Sequence, residues 1–277
     1  MTDSDEGVSP SGATLSYGNI LEREIQNALK EMRRPRGGLF LSGLSAGLTV
    51  SFGALFMGMA LTFSGGFESM LTQQVTLASV SSIGFLFVIL GQTELFTAHT
   101  TMAVLPVLDG RASVVDLARL WAVVYASNLL GCAAFAGLIA LVGPPMDIVD
   151  ARAFGSLARA LVPLSWWVIL LSGVVAGWLM GLVTWLVAAS RDTVSRVLLT
   201  VVVTAGIGFG PFHHSLLGTT EVLSALFLGT GVTLAEYAHF LGWTTLGNVV
   251  GGSVFVGLLN YGHAAFSGEE TDTAAGE

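Results

Sequence analysis

The sequence predicts an all-α integral membrane protein of six transmembrane helices, built as two inverted three-helix repeats whose middle helices are broken. Three observations carry this. Apolar residues make up 53% of the 277 and charged residues only 11%, against about 25% charged in soluble domains. Apolar stretches long enough to cross a bilayer recur along the chain. Two of them are over-long and are interrupted, at corresponding places, by polar residues and glycine.

Residues 1–36 read as a cytoplasmic tail carrying one amphipathic helix, 37–263 as the transmembrane domain, and 264–277 as a disordered acidic tail. The net charge of -8 comes largely from the two ends, with Asp3, Asp5 and Glu6 at one and Glu269, Glu270, Asp272 and Glu277 at the other. Asn19 is the expected N-cap, with Glu22 three places on as the reciprocal acid. Leu21, Ile25, Ala28, Leu29 and Met32 then recur at helical spacing, as in a helix lying on a membrane surface or against the bundle. The first long apolar run begins near Leu39, so a cleaved leader is not expected.

The six spans are expected near 38–63, 74–106, 114–142, 162–189, 197–229 and 235–262. Nine cations flank one side: Arg23, Lys30, Arg33, Arg34, Arg36, Arg111, Arg119, Arg191 and Arg196. Only Arg152 and Arg159 flank the other. That asymmetry predicts both termini in the cytoplasm, and the expected location is the plasma membrane. Cys132 is the single cysteine, which excludes an intrachain disulfide.

The repeat shows in two matches. Asn128, Gly131, Phe135, Gly137 and Leu138 recur 120 residues later as Asn248, Gly251, Phe255, Gly257 and Leu258. Leu41, Ser42, Gly43, Ala46 and Gly47 recur 130 residues later as Leu171, Ser172, Gly173, Ala176 and Gly177. Three spans per repeat is an odd number, so the halves must run in opposite directions.

The fifth span breaks over Gly208 to Thr219, around Pro211, His213 and His214. Proline removes a backbone donor and glycine permits open geometry. The second span breaks around Gly91 to Thr101, and an offset of 120 sets Glu94 against His214. Unwound backbone at membrane depth survives only where it lines a cavity or is buried in protein, so the paired breaks mark a solute pathway. His214 is the leading pathway residue, because ionisable groups at that depth usually face a pathway; the alternative is a buried histidine bonded to a neighbouring helix. Glu94 reads as a support that fixes its loop, and Asn128 and Asn248 as polar bonds between helices beside small glycines. Thr97, Thr100 and Thr101 offer hydroxyls to a solute or back-bond to the preceding turn. Phe96 and Phe209 narrow a pore or simply pack. Glu221 lies seven residues past His214 and so on a similar helix face, lining a vestibule or a subunit contact. Adjacent histidines with no Cys or carboxylate set do not make a metal site, and nothing points to a cofactor or a nucleic acid.

The Glu94-Leu95-Phe96-Thr97 break, His214-Ser215, and Gly247-Asn248 with Gly251-Gly252 together resemble the formate/nitrite transporter family, over about residues 20–263. The resemblance implies an aquaporin-like arrangement, a homopentamer with one pore per subunit, and small monovalent anions as solutes, with protons as possible companions. It implies the central histidine at His214, a gating loop at Leu95, Phe96 and Thr97, and constrictions near Phe85, Phe96 and Ile207. The chain departs from the pattern at Gly218, where the family often has Asn. It also lacks the lysine that several members carry near the start of span four, where Arg159 is the nearest cation.

Other function classes fit less well. A membrane sensor needs tails with a folded domain. An intramembrane hydrolase needs a second polar cluster beside His213, His214, Ser215 and Glu94. A channel for neutral solutes of the aquaporin or ammonium type remains the alternative.

Overall fold

Ser16 opens the first helix. The computed structural model describes residues 15–267, so the expected acidic tails at 1–14 and 268–277 lie outside the described residues. In α1 (Tyr17–Arg33) the Ser16 hydroxyl accepts from the Asn19 N–H at 3.3 Å. The cap is therefore Ser16 and not Asn19, because a serine was available one turn earlier. Glu22 is left free, and its carboxylate takes the Arg111 guanidinium through two bonds of 2.8 and 2.6 Å. The expected apolar stripe of α1 is buried. Ile25 and Leu29 pack with Leu105, Trp185 and Val256.

Next come α2 (Arg36–Phe63), α3 (Met70–Leu90), α4 (Phe96–Met102), α5 (Leu105–Leu108) and α6 (Val114–Val142). Then follow α7 (Ala151–Leu161), α8 (Trp166–Ala189), α9 (Thr193–Phe209), α10 (Ser215–Phe227) and α11 (Leu234–Gly252). A π-helical turn, Ser253–Leu258, leads into α12 (Leu259–Ser267). No strand occurs among the described residues.

Five helical stretches are long and apolar enough to cross a membrane: Arg36–Phe63, Met70–Leu90, Val114–Val142, Trp166–Ala189 and Leu234–Phe266. The expected second and fifth spans are each divided, the first by residues 91–95 and the second by residues 210–214. The third span falls where the sequence placed it. The fourth begins at Trp166, because α7 is a separate helix ahead of it and the backbone is extended at Ser165. The last helix runs on to Ser267, past the expected boundary at 263.

Glycines set how closely the long helices approach. A Cβ on Gly131 would lie 2.5 Å from the Leu44 carbonyl oxygen, and a Cβ on Gly251 would strike the Val174 carbonyl oxygen. So α2 packs backbone to backbone on α6, and α8 does the same on α11, which is the use of small residues that bilayer helices favour. The half-helices fill the space between these pairs. α10 lies against α6, α7 and α2, while α4 lies against α8 and α11. Where α6 and α11 meet, Tyr125 Oη and Thr245 Oγ1 are 2.6 Å apart.

Candidate transport pathway

Each break is held open by one buried asparagine. Asn128 Oδ1 accepts from the Phe96 N–H at 2.8 Å, and its Nδ2 donates to the Gly43 and Glu94 carbonyls at 2.7 and 2.9 Å. Asn248 Oδ1 accepts from the Ser215 N–H at 2.9 Å, and its Nδ2 donates to the Gly173 and His213 carbonyls, both at 2.9 Å. The Phe96 and Ser215 N–H groups and the Glu94 and His213 carbonyls lie at the breaks without a helical partner, and buried backbone groups must be paired; the Gly43 and Gly173 carbonyls lie inside α2 and α8 and anchor the two amides there. Ser42 Oγ accepts from the Glu94 N–H at 3.2 Å, and Ser172 Oγ accepts from the His213 N–H at 3.1 Å. Glu94 is thus the counterpart of His213, and Leu95 that of His214. The true offset here is one residue less than the expected 120, because Phe96 to Asn128 spans 32 positions and Ser215 to Asn248 spans 33.

The residue before each cap also reaches back to the amphipathic helix of its own half. Glu94 Oε1 accepts from Arg34 Nη1 at 3.0 Å just beyond α1, and Oε2 bonds His99 Nε2. His213 Nε2 donates to the Leu161 carbonyl at 2.9 Å, the last residue of α7, and its Nδ1 accepts from Ser172 Oγ at 2.8 Å. His213 is fully engaged in holding its loop.

His214 is the N-cap of α10. Its Nδ1 accepts from the Leu217 N–H at 3.2 Å. The neutral ring therefore carries its proton on Nε2, which lies 2.9 Å from Thr97 Oγ1 on α4. Cap and tautomer are coupled, since a second proton on Nδ1 breaks the bond to Leu217. Phe85 lies edge-on to the imidazole with ring centroids 4.9 Å apart.

Two cavities approach this block from opposite sides and share no lining residue. One, of about 90 Å³, lies beside α7 and is lined by Gln73, Gln74, Ser156, Ile207, His214 and Glu221 among others. The other, of about 850 Å³, lies under α1 and reaches Thr93, Glu94, Leu95, Ala98 and His99. Between them stand Leu95, Phe85, Ile207 and Thr97, each no more than 1% exposed.

The remaining sequence candidates fall elsewhere. Phe96 is buried against Trp121 and Tyr125 of α6, at centroid distances of 5.9 and 4.6 Å, and lines neither cavity. Phe209 is 48% exposed on the outer face of α9 and also lines neither. Thr100 donates to the Thr97 carbonyl at 2.8 Å and Thr101 to the Gly252 carbonyl at 2.9 Å, so both hydroxyls serve packing. Gly218 is the place where an Asn was noted as common. A Cβ there would lie 2.5 Å from Phe240 Cζ, so the phenyl ring occupies the side-chain space.

Sequence reasoning assigned no role to His99. It is buried, lines the α1-side cavity and holds the Glu94 carboxylate; its spacing of five residues from Glu94 was the available signal. Among the described residues no cluster of His, Cys, Asp and Glu suits a metal ion.

Comparison with known proteins agrees with this architecture. The sequence profile of the formate/nitrite transporter family matches residues 18–262. A probable formate transporter of Methanothermobacter thermautotrophicus is 29% identical over 253 residues, covering 83% of this chain and 90% of the relative. A solved channel described as an FNT family ion channel superposes with a TM-score of 0.79 at 25% identity, covering 88% of this chain and 98% of the other. A pentameric formate channel with formate bound has the same fold, with a TM-score of 0.68 at 22% identity over 87% of this chain and 98% of that one. The family consists of membrane transporters and channels, not enzymes, which removes the hydrolase reading. With its profile matched over nearly the whole described chain, this protein belongs to the formate/nitrite transporter family.

Proposed function

We propose that this chain carries small monovalent anions of the formate or nitrite class across the plasma membrane, through a pore in each subunit of a homopentamer. Six spans in two inverted repeats, in an aquaporin-like arrangement, form the pore, with both termini in the cytoplasm. The matching Asn128 and Asn248 bonds support the repeat. So does the contact of Tyr125 with Thr245, residues 120 positions apart. A two-fold axis relating the halves must pass close to any equivalent residues that touch. The family's name and the formate and pentamer descriptions of its relatives support the solute and the assembly.

The observation that carries the pathway is the His214–Thr97 bond, which ties the two breaks together where the two cavities end. A bare anion entering so apolar a place meets a penalty of tens of kcal/mol in the Born limit, although real sites relax much of it. Protonating a small acid with a pKa near 4 costs only about 4 kcal/mol at pH 7. Crossing as the neutral acid is therefore the easier route. His214 assists in one of two ways. With Nδ1 accepting from Leu217 and the proton on Nε2, Nε2–H donates to Thr97 Oγ1 and leaves the threonine O–H directed to the solute as the end of a polarised donor chain. Supplying a net proton instead requires the ring to leave the Leu217 N–H.

The test is uptake into proteoliposomes holding the purified protein, with formate, nitrite, glycerol and ammonium compared across pH. Formate or nitrite uptake with accompanying protons is the expected result. Uptake of glycerol or ammonium alone points to the neutral-solute channel and overturns the reading.

A further inference from the structure

Glu221 stands in the wall of the α7-side cavity. It is 5% exposed, two turns beyond His214 on the face of α10 that also presents Gly218. Among the described residues it is the only Asp, Glu, Lys or Arg lining that cavity, with His214 as the other titratable group. No hydrogen bond or ion pair engages its carboxyl among the described residues. α10 packs against α2, α6, α7 and α11. Their titratable groups are Arg36 on α2; Asp116, Arg119, Tyr125 and Cys132 on α6; Arg152 and Arg159 on α7; Glu236, Tyr237 and His239 on α11. None of them pairs with Glu221. Arg152 pairs with Asp150, Arg159 with Ser156, Glu236 with Thr233, and Tyr237 Oη lies 3.4 Å from Thr219 Oγ1.

A carboxyl with no cation and no donor at such depth is held as the neutral acid. Nothing about it serves packing that an apolar side chain would not serve better. An acid facing a cavity that ends at His214 has the chemistry to meet an incoming anion.

We infer that Glu221 is a substrate-protonating residue, handing its proton to the small anion in the α7-side cavity before the anion reaches the His214–Thr97 block. This rests on the anion-transport reading above. In the step, the Glu221 O–H bond breaks and an O–H bond forms on the anion. The negative charge moves to Glu221, and water in the cavity returns a proton to it. The proton passes between two carboxyls in one setting: the apolar wall that keeps Glu221 neutral also disfavours the charged form of the small anion beside it, so the anion's hold on a proton rises there too. The ionised residue repels the next anion until it is reprotonated, so the cavity admits anions only in step with protons.

The experiment compares the parent with Glu221→Gln in proteoliposomes between pH 5.5 and 8, reading formate uptake and internal acidification together. The parent should move one proton per formate and slow as the medium becomes alkaline. Glu221→Gln keeps the shape and a donor but has no proton to give. It should take up formate about tenfold more slowly at low pH, with a flattened pH profile. Equal rates and equal profiles overturn the role of Glu221 while leaving the transport reading intact. A parent that moves no formate or nitrite overturns both. A second measurement does not depend on the variant folding. Dicyclohexylcarbodiimide reacts with protonated carboxyls in membranes, and peptide mass mapping of the parent should find Glu221 modified at pH 6 and protected by formate. An unmodified Glu221, or modification that formate does not slow, overturns the proposal.

Discussion

His214 and Thr97 lie 117 positions apart in the chain and share a hydrogen bond of 2.9 Å. One caps a half-helix and the other lies in the first turn of the opposite half-helix, so this bond is where the two breaks touch. Replacing His214 by Asn keeps an excellent N-cap. His214→Asn should therefore assemble and melt within a few degrees of the parent. Formate uptake should fall by about 3- to 10-fold, the worth of one neutral hydrogen bond, and its pH profile should change. Unchanged rate and profile would show the histidine to be only a cap.

Leu95 and Phe96 give a contrast between neighbours. Leu95 borders the α1-side cavity, while Phe96 packs into α6. Leu95→Ala should widen the narrow region and admit larger carboxylates, at a stability cost of about 2–5 kcal/mol for a buried leucine. Phe96→Ala should cost about 3–5 kcal/mol of stability and leave size selection alone. Uptake of acetate and lactate relative to formate, beside thermal melting, separates the two. The reverse pattern would move the constriction to Phe96.

Asn128 and Asn248 each satisfy three backbone groups. Either one changed to Ala leaves the N–H and the carbonyl of its break buried without partners, at about 1–3 kcal/mol for each. Both variants should lose assembled protein on detergent gel filtration. An assembled, thermally unaltered Asn248→Ala would mean that water can hold the break.

Docking of α1 should depend on pH. Burial pushes the Glu24 carboxyl up from 4.5 to about 8, and burial likewise raises Glu31. An acid whose docked value is raised binds its proton more tightly when docked. The stabilisation is therefore complete below about pH 4.5 and is lost as the pH climbs through about 8. Amide exchange in residues 17–33 should speed up roughly tenfold per pH unit beyond the intrinsic rate in that window. Glu24→Gln should flatten the rise, and an unchanged slope in that variant would reject the assignment.

Orientation is open to direct labelling. Cysteines placed at Ser64 and Asp147 should react with an impermeant maleimide from outside, and those at Asp109 and Asp192 only from inside. The buried Cys132 gives little background. The opposite pattern would invert the pore.

Much of this was legible in the residues, for identifiable reasons. Asn128 and Asn248 stand out because a polar amide amid glycines has no other use in a membrane helix. The span at 114–142 was readable from the length of its apolar stretch, and a capping box of Ser113 and Asp116 closes its start. α7 escaped notice because its eleven residues are too few for a membrane span, although Phe154, Leu157, Ala158 and Leu161 recur at helical spacing. Phe209, which composition leaves open to narrowing a pore or to packing, faces outward. It follows Ile207 by two residues, about 200° around the helix, so an inward Ile207 sends it outward. Phe96 was drawn off the pathway by its own N–H, which Asn128 holds from α6. That pairing is set by tertiary contact and leaves no local mark.

The two asparagine clamps also bear on how the chain is made. The groups they satisfy are synthesised first, and the clamp follows 32 or 33 residues later. Until α6 or α11 leaves the ribosome, the second half of each divided span has backbone groups that a bilayer cannot satisfy. Each half of the protein therefore enters the membrane as a delayed unit. Its divided segment waits in a polar, protected place, and its last helix arrives to seat it.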